Sequence, residues 1–141
     1  MKNFLIPTRL TPDTIAAVET AINHSRNENA KIILLLVTDE IDSFSAAQYL
    51  RERDSQITHK EMDVLDNCRN LIEHFPNCKL EFKRQCGISS PLLRNLLSYY
   101  SVDLILLSKS IITSKKSVHN NLVNCIENLK TPILRLINDS T

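Results

Sequence analysis

The sequence is poor in glycine, and several features that mark particular protein classes are missing. It has one glycine and no tryptophan in 141 residues, and its 17 basic residues nearly balance its 16 acidic ones, which leaves a net charge of +1. A basic stripe of the kind that binds nucleic acid is therefore not expected, and we predict no nucleic-acid partner. No apolar run approaches the ~20 residues that span a bilayer, so we predict no membrane segment.

The amino terminus and the cysteines indicate the compartment. The opening MKNFLIPTRL is too short for a signal peptide and is interrupted by Pro7 and Arg9, so we predict a cytoplasmic protein. The cysteines form no CxxC pair and have no zinc-ligand spacing with the histidines, and we interpret them as reduced structural thiols. They are Cys68, Cys78, Cys86 and Cys125. Cys86 precedes the glycine, Gly87, at a strand end, and we interpret it as a small buried residue.

Five apolar segments alternate with helical patterns along the chain. The predicted strands are Asn3 to Pro7, Ile32 to Val37, Leu80 to Cys86, Leu104 to Leu107 and Ile133 to Ile137. This alternation predicts a parallel sheet with helices on both faces, an α/β three-layer sandwich in which residues 1–141 form one domain. The third strand alternates with charged residues and the fifth contains a central arginine, so both belong at edges. A Rossmann-like order of 3-2-1-4-5 satisfies these assignments.

Each predicted helix begins with a recognisable start signal. Thr11 is a candidate cap before Pro12 and Asp13, and Thr58 with Glu61 forms a capping box. Further helices are predicted from Phe44 to Arg53, from Ser90 with Pro91 at its start, and from Ser117 as a cap.

The stretch from Ser101 to Asn128 contains the main candidate site. It consists of an apolar strand, a loop rich in hydroxyls and lysines from Ser108 to Ser117, and an amphipathic helix. The predicted order places this loop beside Pro7 to Thr11 at the switch point of the sheet, where α/β proteins bind ligands. One interpretation is an anion or nucleotide site made by side chains at a helix amino terminus, and the other is a solvated loop. The candidate residues are Thr8, Arg9, Val37, Ser108, Ser110, Lys115, Lys116 and Ser117.

Nothing in the sequence indicates catalysis. The four histidines, His24, His59, His74 and His119, are predicted on polar helix faces or near caps, and none forms a motif with a serine or cysteine nucleophile and an acid. We therefore predict that the protein is not an enzyme and interpret each histidine as a surface residue.

Several segments together resemble the universal stress protein (UspA-like) family. The chain opens with a proline-ended strand and a helix (FLIPTRLTPDT) and continues with an apolar second strand (AKIILLLVTD). A glycine-ended strand leads to a helix and an aspartate-led strand (CGISSPLLRNLLSYYSVDLILL), and the chain finishes with a helix and a proline-led strand (NCIENLKTPILRL). The resemblance implies an adenine nucleotide alpha hydrolase-like fold. It also implies a dimer formed by antiparallel pairing of the last strands, for which Pro132 to Ile137 is the matching segment.

The resemblance also implies ATP binding in many members, through glycines that this chain lacks. Ser108 and Ile111 stand at the first two glycine positions, and either Asn121 or His119 stands at the third, depending on the alignment. Thr8 replaces an aspartate that is common after the family's first strand. Glycine lets backbone N–H groups approach a phosphate chain closely, so we predict no ATP binding by the usual geometry. A phosphate-like anion, ATP or AMP remains an open alternative as the cofactor.

These observations lead to three hypotheses for function. The leading one is a cytoplasmic, non-catalytic stress-response homodimer that acts through an unidentified protein partner or its own dimer surface. An exposed apolar edge at Ile133 to Ile137 favours pairing, although Arg135 and the tail from Asn138 to Thr141 are an alternative protection for that edge. The second is a nucleotide-binding switch, or a nucleotide hydrolase, that uses the Ser108 to Ser117 loop. The third is a small-molecule transferase, for which no acid or base is identified.

Overall fold

The computed structural model describes residues 1–38 and 57–136. Its strands are β1 (Lys2–Thr8), β2 (Ala30–Thr38), β3 (Cys78–Cys86), β4 (Leu104–Ser108) and β5 (Ile133–Leu136). Its helices are α1 (Asp13–Ser25), α2 (His59–Ile72), α3 (Ser90–Tyr100), the short α4 (Lys109–Ile112) and α5 (Ser117–Glu127). The helix predicted from Phe44 to Arg53 lies outside these ranges, as does Ile137 of the last predicted strand.

The strands form one parallel sheet in the order β3-β2-β1-β4-β5. Phe4 of β1 lies opposite Ile32 of β2 on one side and opposite Leu104 of β4 on the other. The predicted order 3-2-1-4-5 is therefore confirmed, with the two strands that carry charged residues at the edges. The direction of chain crossover reverses between β1 and β4, so the carboxyl ends of these two strands form the switch point of the sheet.

Strand periodicity divides the core into two layers, because successive side chains on a strand point to opposite faces. Even-numbered residues such as Phe4 and Ile32 pack against α1 and α2 through Val18 and Leu65. The odd-numbered face is covered by α3 and α5. Its buried members include Leu5, Ile33, Leu35, Leu93, Leu97, Leu122 and Ile126. The central strands β1, β2 and β4 are buried and apolar on both faces over most of their length, as a parallel sheet between two helical layers requires.

The predicted helix starts are partly confirmed. Thr58 and Glu61 form the capping box at the start of α2, with each side chain bonded to the other residue's backbone N–H. The predictions for Thr11 and Ser117 are wrong, since the N-cap positions of α1 and α5 belong to Pro12 and Lys116, neither of which makes a side-chain cap. The predicted start of α3 at Ser90 and Pro91 is confirmed, and Ser89, which was not predicted, caps the helix by accepting from the Leu92 N–H.

The end of β3 differs from the prediction in one respect. Gly87 adopts a φ of 70°, in the left-handed region that glycine enters at little cost, and its N–H donates to the Thr38 carbonyl oxygen at 2.8 Å. Cys86, predicted to be buried, is exposed at the end of an edge strand. The other three cysteines are buried, and none of the four, all of which lie in the described ranges, forms a disulfide. Burial raises the pKa of Cys68 to about 11.

Candidate functional site

The carboxyl ends of β1 and β4 lie side by side at the switch point of the sheet, where α/β proteins have their ligand crevice. The Arg9 Nη1 group donates to the Ser110 carbonyl oxygen at 3.5 Å, and the Thr11 hydroxyl oxygen lies 2.9 Å from the Ser110 hydroxyl oxygen. The expected neighbourhood of Pro7 to Thr11 and the start of the Ser108 to Ser117 loop is therefore present. We call this place the β1–β4 cleft and define it by Thr8, Thr11, Asp13, Ser108 and Ser110.

Thr8 holds the β1–α1 turn together. Its side chain is 1% exposed, accepts from the Leu10 N–H at 2.8 Å and lies 2.7 Å from the Thr14 hydroxyl oxygen. Leu10 has a φ of 54°, a left-handed conformation that costs a non-glycine residue roughly 1 kcal/mol or more. The Thr8 hydroxyl thus serves the turn, and its hydrogen-bonding groups face the protein's own backbone and Thr14.

The carboxylate of Asp13 binds the polar groups at the end of β4. Its Oδ2 accepts from the Ser110 N–H at 2.9 Å, and its Oδ1 accepts from the Ser110 hydroxyl at 3.0 Å and from the Thr11 hydroxyl at 2.5 Å. Ser110 lies in the first turn after β4, where the backbone N–H groups of an α/β protein receive anionic ligands. In this chain an intrinsic anion already occupies that N–H.

The two residues at the first glycine positions are both buried. Ser108 places its hydroxyl oxygen 3.3 Å from that of Ser110. Ile111 is 1% exposed and belongs to the core layer beneath α3 and α5. An isoleucine at a glycine position would be expected to obstruct a phosphate, but this side chain is part of the core and does not itself block the cleft. Instead it anchors α4, and this helical turn takes the place of an open glycine loop.

The second half of the predicted loop lies apart from the cleft. Lys115, Lys116 and Ser117 are exposed, and Val37 is buried in the core. The described contacts of Lys116 stay within its own loop, since its N–H donates to the Ser114 hydroxyl oxygen at 3.2 Å and its carbonyl oxygen accepts from the His119 N–H at 3.1 Å. The structure thus brings together Thr8, Arg9, Ser108 and Ser110 among the candidate residues, but not the lysines.

A buried serine–histidine pair joins this loop to α5. Ser114 Oγ is 2.6 Å from His119 Nδ1, and His119 is only 4% exposed, so its interpretation as a surface residue is wrong. Because Ser114 Oγ accepts from the Lys116 N–H, its own hydrogen is available for Nδ1. The pair closes the turn that leads into α5, where a conventional side-chain cap is missing.

Sequence reasoning missed the role of Asp13, although it noted its place in the first turn of α1. Its contact with Ser110 joins residues that are 97 positions apart, and no local pattern encodes such a contact. The available signal was topological: an acidic residue after β1 faces the loop after β4 in this strand order. Among residues 1–38 and 57–136, no cluster of three His, Cys, Asp or Glu residues suits a metal ion, and none of the helices combines the length and the hydropathy of a membrane span.

Solved structures resemble the fold closely, although no protein-family model and no curated protein sequence matches this chain. The universal stress protein UspA from Lactobacillus plantarum superposes with a TM-score of 0.69 at 16% identity, over 96% of this chain and 97% of that one. A universal stress protein in complex with cAMP gives 0.64 at 15% identity, over 96% of both chains. An Arabidopsis thaliana universal stress protein family member with AMP bound gives 0.57 at 14% identity, over 99% and 94%. The resemblance seen in the sequence is therefore confirmed for the fold.

Proposed function

We propose that this chain is a universal stress protein of the branch that does not bind ATP in the usual way, and that it acts in the cytoplasm as a non-catalytic homodimer. The observation that carries the proposal is the Asp13 carboxylate on the Ser110 N–H and hydroxyl. The fold supports the family, and this intrinsic anion explains how the family's ligand position is used in a chain without the glycines.

Electrostatics supports the loss of phosphate binding. A phosphate arriving at the Ser110 N–H would have to displace Asp13 and would meet its negative charge at close range. Two unit charges about 4 Å apart repel by roughly 4 kcal/mol at the effective dielectric constant typical of a protein surface. Lys115 and Lys116 are exposed and have no described contact with the cleft, so neither lysine offers a direct ion pair to a phosphate at the Ser110 N–H.

The dimer part of the proposal rests on the outer edge of β5. Ile105 N–H donates to the Pro132 carbonyl oxygen at 3.0 Å, and Ile105 lies opposite Ile133 in the register. In a parallel ladder this register directs the backbone groups of Leu134 towards β4 and those of Arg135 outward. The outward groups of a half-buried apolar strand are a template for a second copy of the same strand.

Two substitutions at Arg135 test the dimer. Arg135→Pro removes the outward N–H and leaves the inner ladder intact, whereas Arg135→Ala retains this N–H. Both variants lose the exposed ion pair between Arg135 and Glu127, so they form a matched pair. Size-exclusion chromatography with light scattering should show a dimer for the native chain and Arg135→Ala, and a monomer for Arg135→Pro. A native monomer, or an Arg135→Pro variant as dimeric as Arg135→Ala, would contradict the proposal.

The second candidate function is a nucleotide-binding switch, favoured by the neighbours that hold cAMP and AMP. Calorimetric titration with ATP, ADP, AMP and cAMP separates the two candidates. We expect no micromolar binding to the native chain. Micromolar binding that disappears in a Lys115→Ala, Lys116→Ala double variant would support the switch and overturn the leading proposal.

A further inference from the structure

We infer that a groove beside β3, remote from the β1–β4 cleft, binds a small planar aromatic monoanion. The groove has a volume of about 420 Å³ and lies between the edge strand β3 and helix α3. Its lining consists of Lys83, Gln85, Leu92, Asn95, Leu96, Tyr99 and Tyr100. We call it the β3 groove. The inference does not depend on the proposed function, because none of these residues belongs to the cleft or to β5.

The floor of the β3 groove follows from strand register. Lys83 lies opposite Leu35 and Gln85 opposite Val37, and both β2 partners belong to the core layer covered by α3 and α5. Lys83 and Gln85 therefore occupy the same face of the sheet as α3. At β2 that face is apolar and buried, whereas one strand further out it is polar and only half-buried. A polar floor against a helical wall is the result.

The wall of the groove exposes an apolar stripe. Leu92 and Tyr99 are seven residues apart on α3, which places them on one side of the helix two turns apart. They are 36% and 81% exposed, and both belong to the small group of large apolar side chains that the described part of the chain leaves open to solvent. The Tyr99 ring packs edge-on against Tyr100 with centroids 4.9 Å apart. Tyr99 therefore presents an aromatic surface at the groove, on which a planar ligand can stack.

The charge of the groove favours an anion. Glu81 is bound by Lys31, whose Nζ lies 2.9 Å from Glu81 Oε1, and by the hydroxyl of Tyr100. Hydrogen bonding by Tyr100 lowers the pKa of Glu81 most, and the charge of Lys83 lowers it further. Two lysines therefore face one carboxylate and leave one net positive charge, and the Lys83 side chain lines the groove. The amides of Gln85 and Asn95 supply neutral donors and acceptors beside it.

Size and chemistry together define the ligand. A volume of this size suits one or two rings, and small-molecule sites combine apolar and aromatic walls with a few polar groups. A carboxylate or sulfonate on the ring would pair with Lys83 while the ring lies against Leu92 and Tyr99. A polyanion such as a nucleoside triphosphate would find one lysine for several charges, so the groove selects a monoanion.

Two probes of similar shape and different charge test the inference. Anilinonaphthalene sulfonate is an aromatic anion, and phenylnaphthylamine is its neutral counterpart. Fluorescence titrations of the full chain should give saturable binding of both, with tighter binding of the anion. Lys83→Gln should lower the affinity for the anion by about five- to tenfold, because it removes a charge-assisted contact. The same variant should change the affinity for the neutral probe by less than about twofold. Tyr99→Ala should weaken both probes by at least about threefold through the loss of stacking.

Matched controls lie on the opposite helical layer. Met62→Ala removes an apolar side chain that is likewise exposed, and Lys60→Gln removes an exposed lysine, both on α2. Neither should change either probe's affinity by more than about twofold, since α2 lies across the sheet. The inference would be overturned if the control variants lost as much probe affinity as the groove variants, or if Lys83→Gln and Tyr99→Ala left the affinities unchanged. The absence of saturable binding to the native chain would also overturn it. Tyr99 and Lys83 are not core residues, so both variants should fold, and unchanged amide NMR shifts outside the groove would verify this.

Discussion

Replacement of Asp13 by alanine should destabilise the protein by about 2–3 kcal/mol. The carboxylate accepts from the Ser110 N–H, the Ser110 hydroxyl and the Thr11 hydroxyl. A hydrogen bond to a charged group contributes roughly 1.5–3 kcal/mol, but these three share one part-buried carboxylate, so their contributions do not add fully. The position in the first turn of α1 adds about 0.3–1 kcal/mol through the helix dipole.

Asparagine at this position separates hydrogen bonding from charge. Asp13→Asn retains one oxygen that can accept from the Ser110 N–H, so it should lose about half as much stability as Asp13→Ala, roughly 1–1.5 kcal/mol. Urea unfolding followed by circular dichroism measures both free energies. The slope with denaturant should not change, because neither variant alters the surface exposed on unfolding.

A residue on the same helix provides the control. Glu19→Ala lies in α1 and is exposed, and it should change the free energy of unfolding by less than about 0.5 kcal/mol. If Asp13→Ala also stays within that range, the carboxylate does not hold the cleft together, and an intrinsic anion at the Ser110 N–H no longer supports the proposal that the chain does not bind phosphate.

Two further predictions concern titration and thiol chemistry. Burial, and then the hydrogen bond to Glu81, raises the pKa of Tyr100 to about 12. The contribution of Tyr100 to stability is therefore complete below pH 10 and is lost as the pH rises towards 12. Over that pH range, the thermal unfolding temperature of Tyr100→Phe should fall less steeply than that of the native chain. Cys86 is exposed, while Cys68, Cys78 and Cys125 are buried. Ellman's reagent should therefore modify one thiol rapidly in the folded protein and all four thiols in urea. Rapid modification of more than one thiol in the folded native chain, or of any thiol in folded Cys86→Ser, would contradict the burial pattern.

The sheet could be predicted because its signals are local. An uninterrupted apolar run such as Ile32 to Val37 requires cover on both faces, and a charge such as Arg135 in a short strand places it at an edge. The capping box of Thr58 and Glu61 has the same character, since the two residues that form it are three positions apart. The strand order followed from these assignments without any knowledge of distant contacts.

The site could be predicted only in its location. Hydroxyl groups at Thr8 and Ser110 were expected in the cleft, but their partners were not. The Thr8 hydroxyl pairs with Thr14, six positions along the chain, and the Ser110 hydroxyl pairs with Asp13, which only tertiary structure brings near. The prediction for His119 failed for a related reason, because a histidine at the start of an amphipathic helix has the same sequence pattern whether its ring meets water or a buried serine. The predictions of Thr11 and Ser117 as caps failed because their helices begin without a side-chain cap, at Pro12 and Lys116.

The bonds between Asp13 and Ser110 also bear on how the chain is ordered during folding. They connect positions 97 residues apart, so they form only when β1 and β4 lie side by side, and their formation closes a long loop of chain. A diffusing anion at the Ser110 N–H would bind in proportion to its concentration. In this chain the closing group is covalently attached, at a fixed effective concentration, and the seam between the first and fourth units is sealed in every folded molecule.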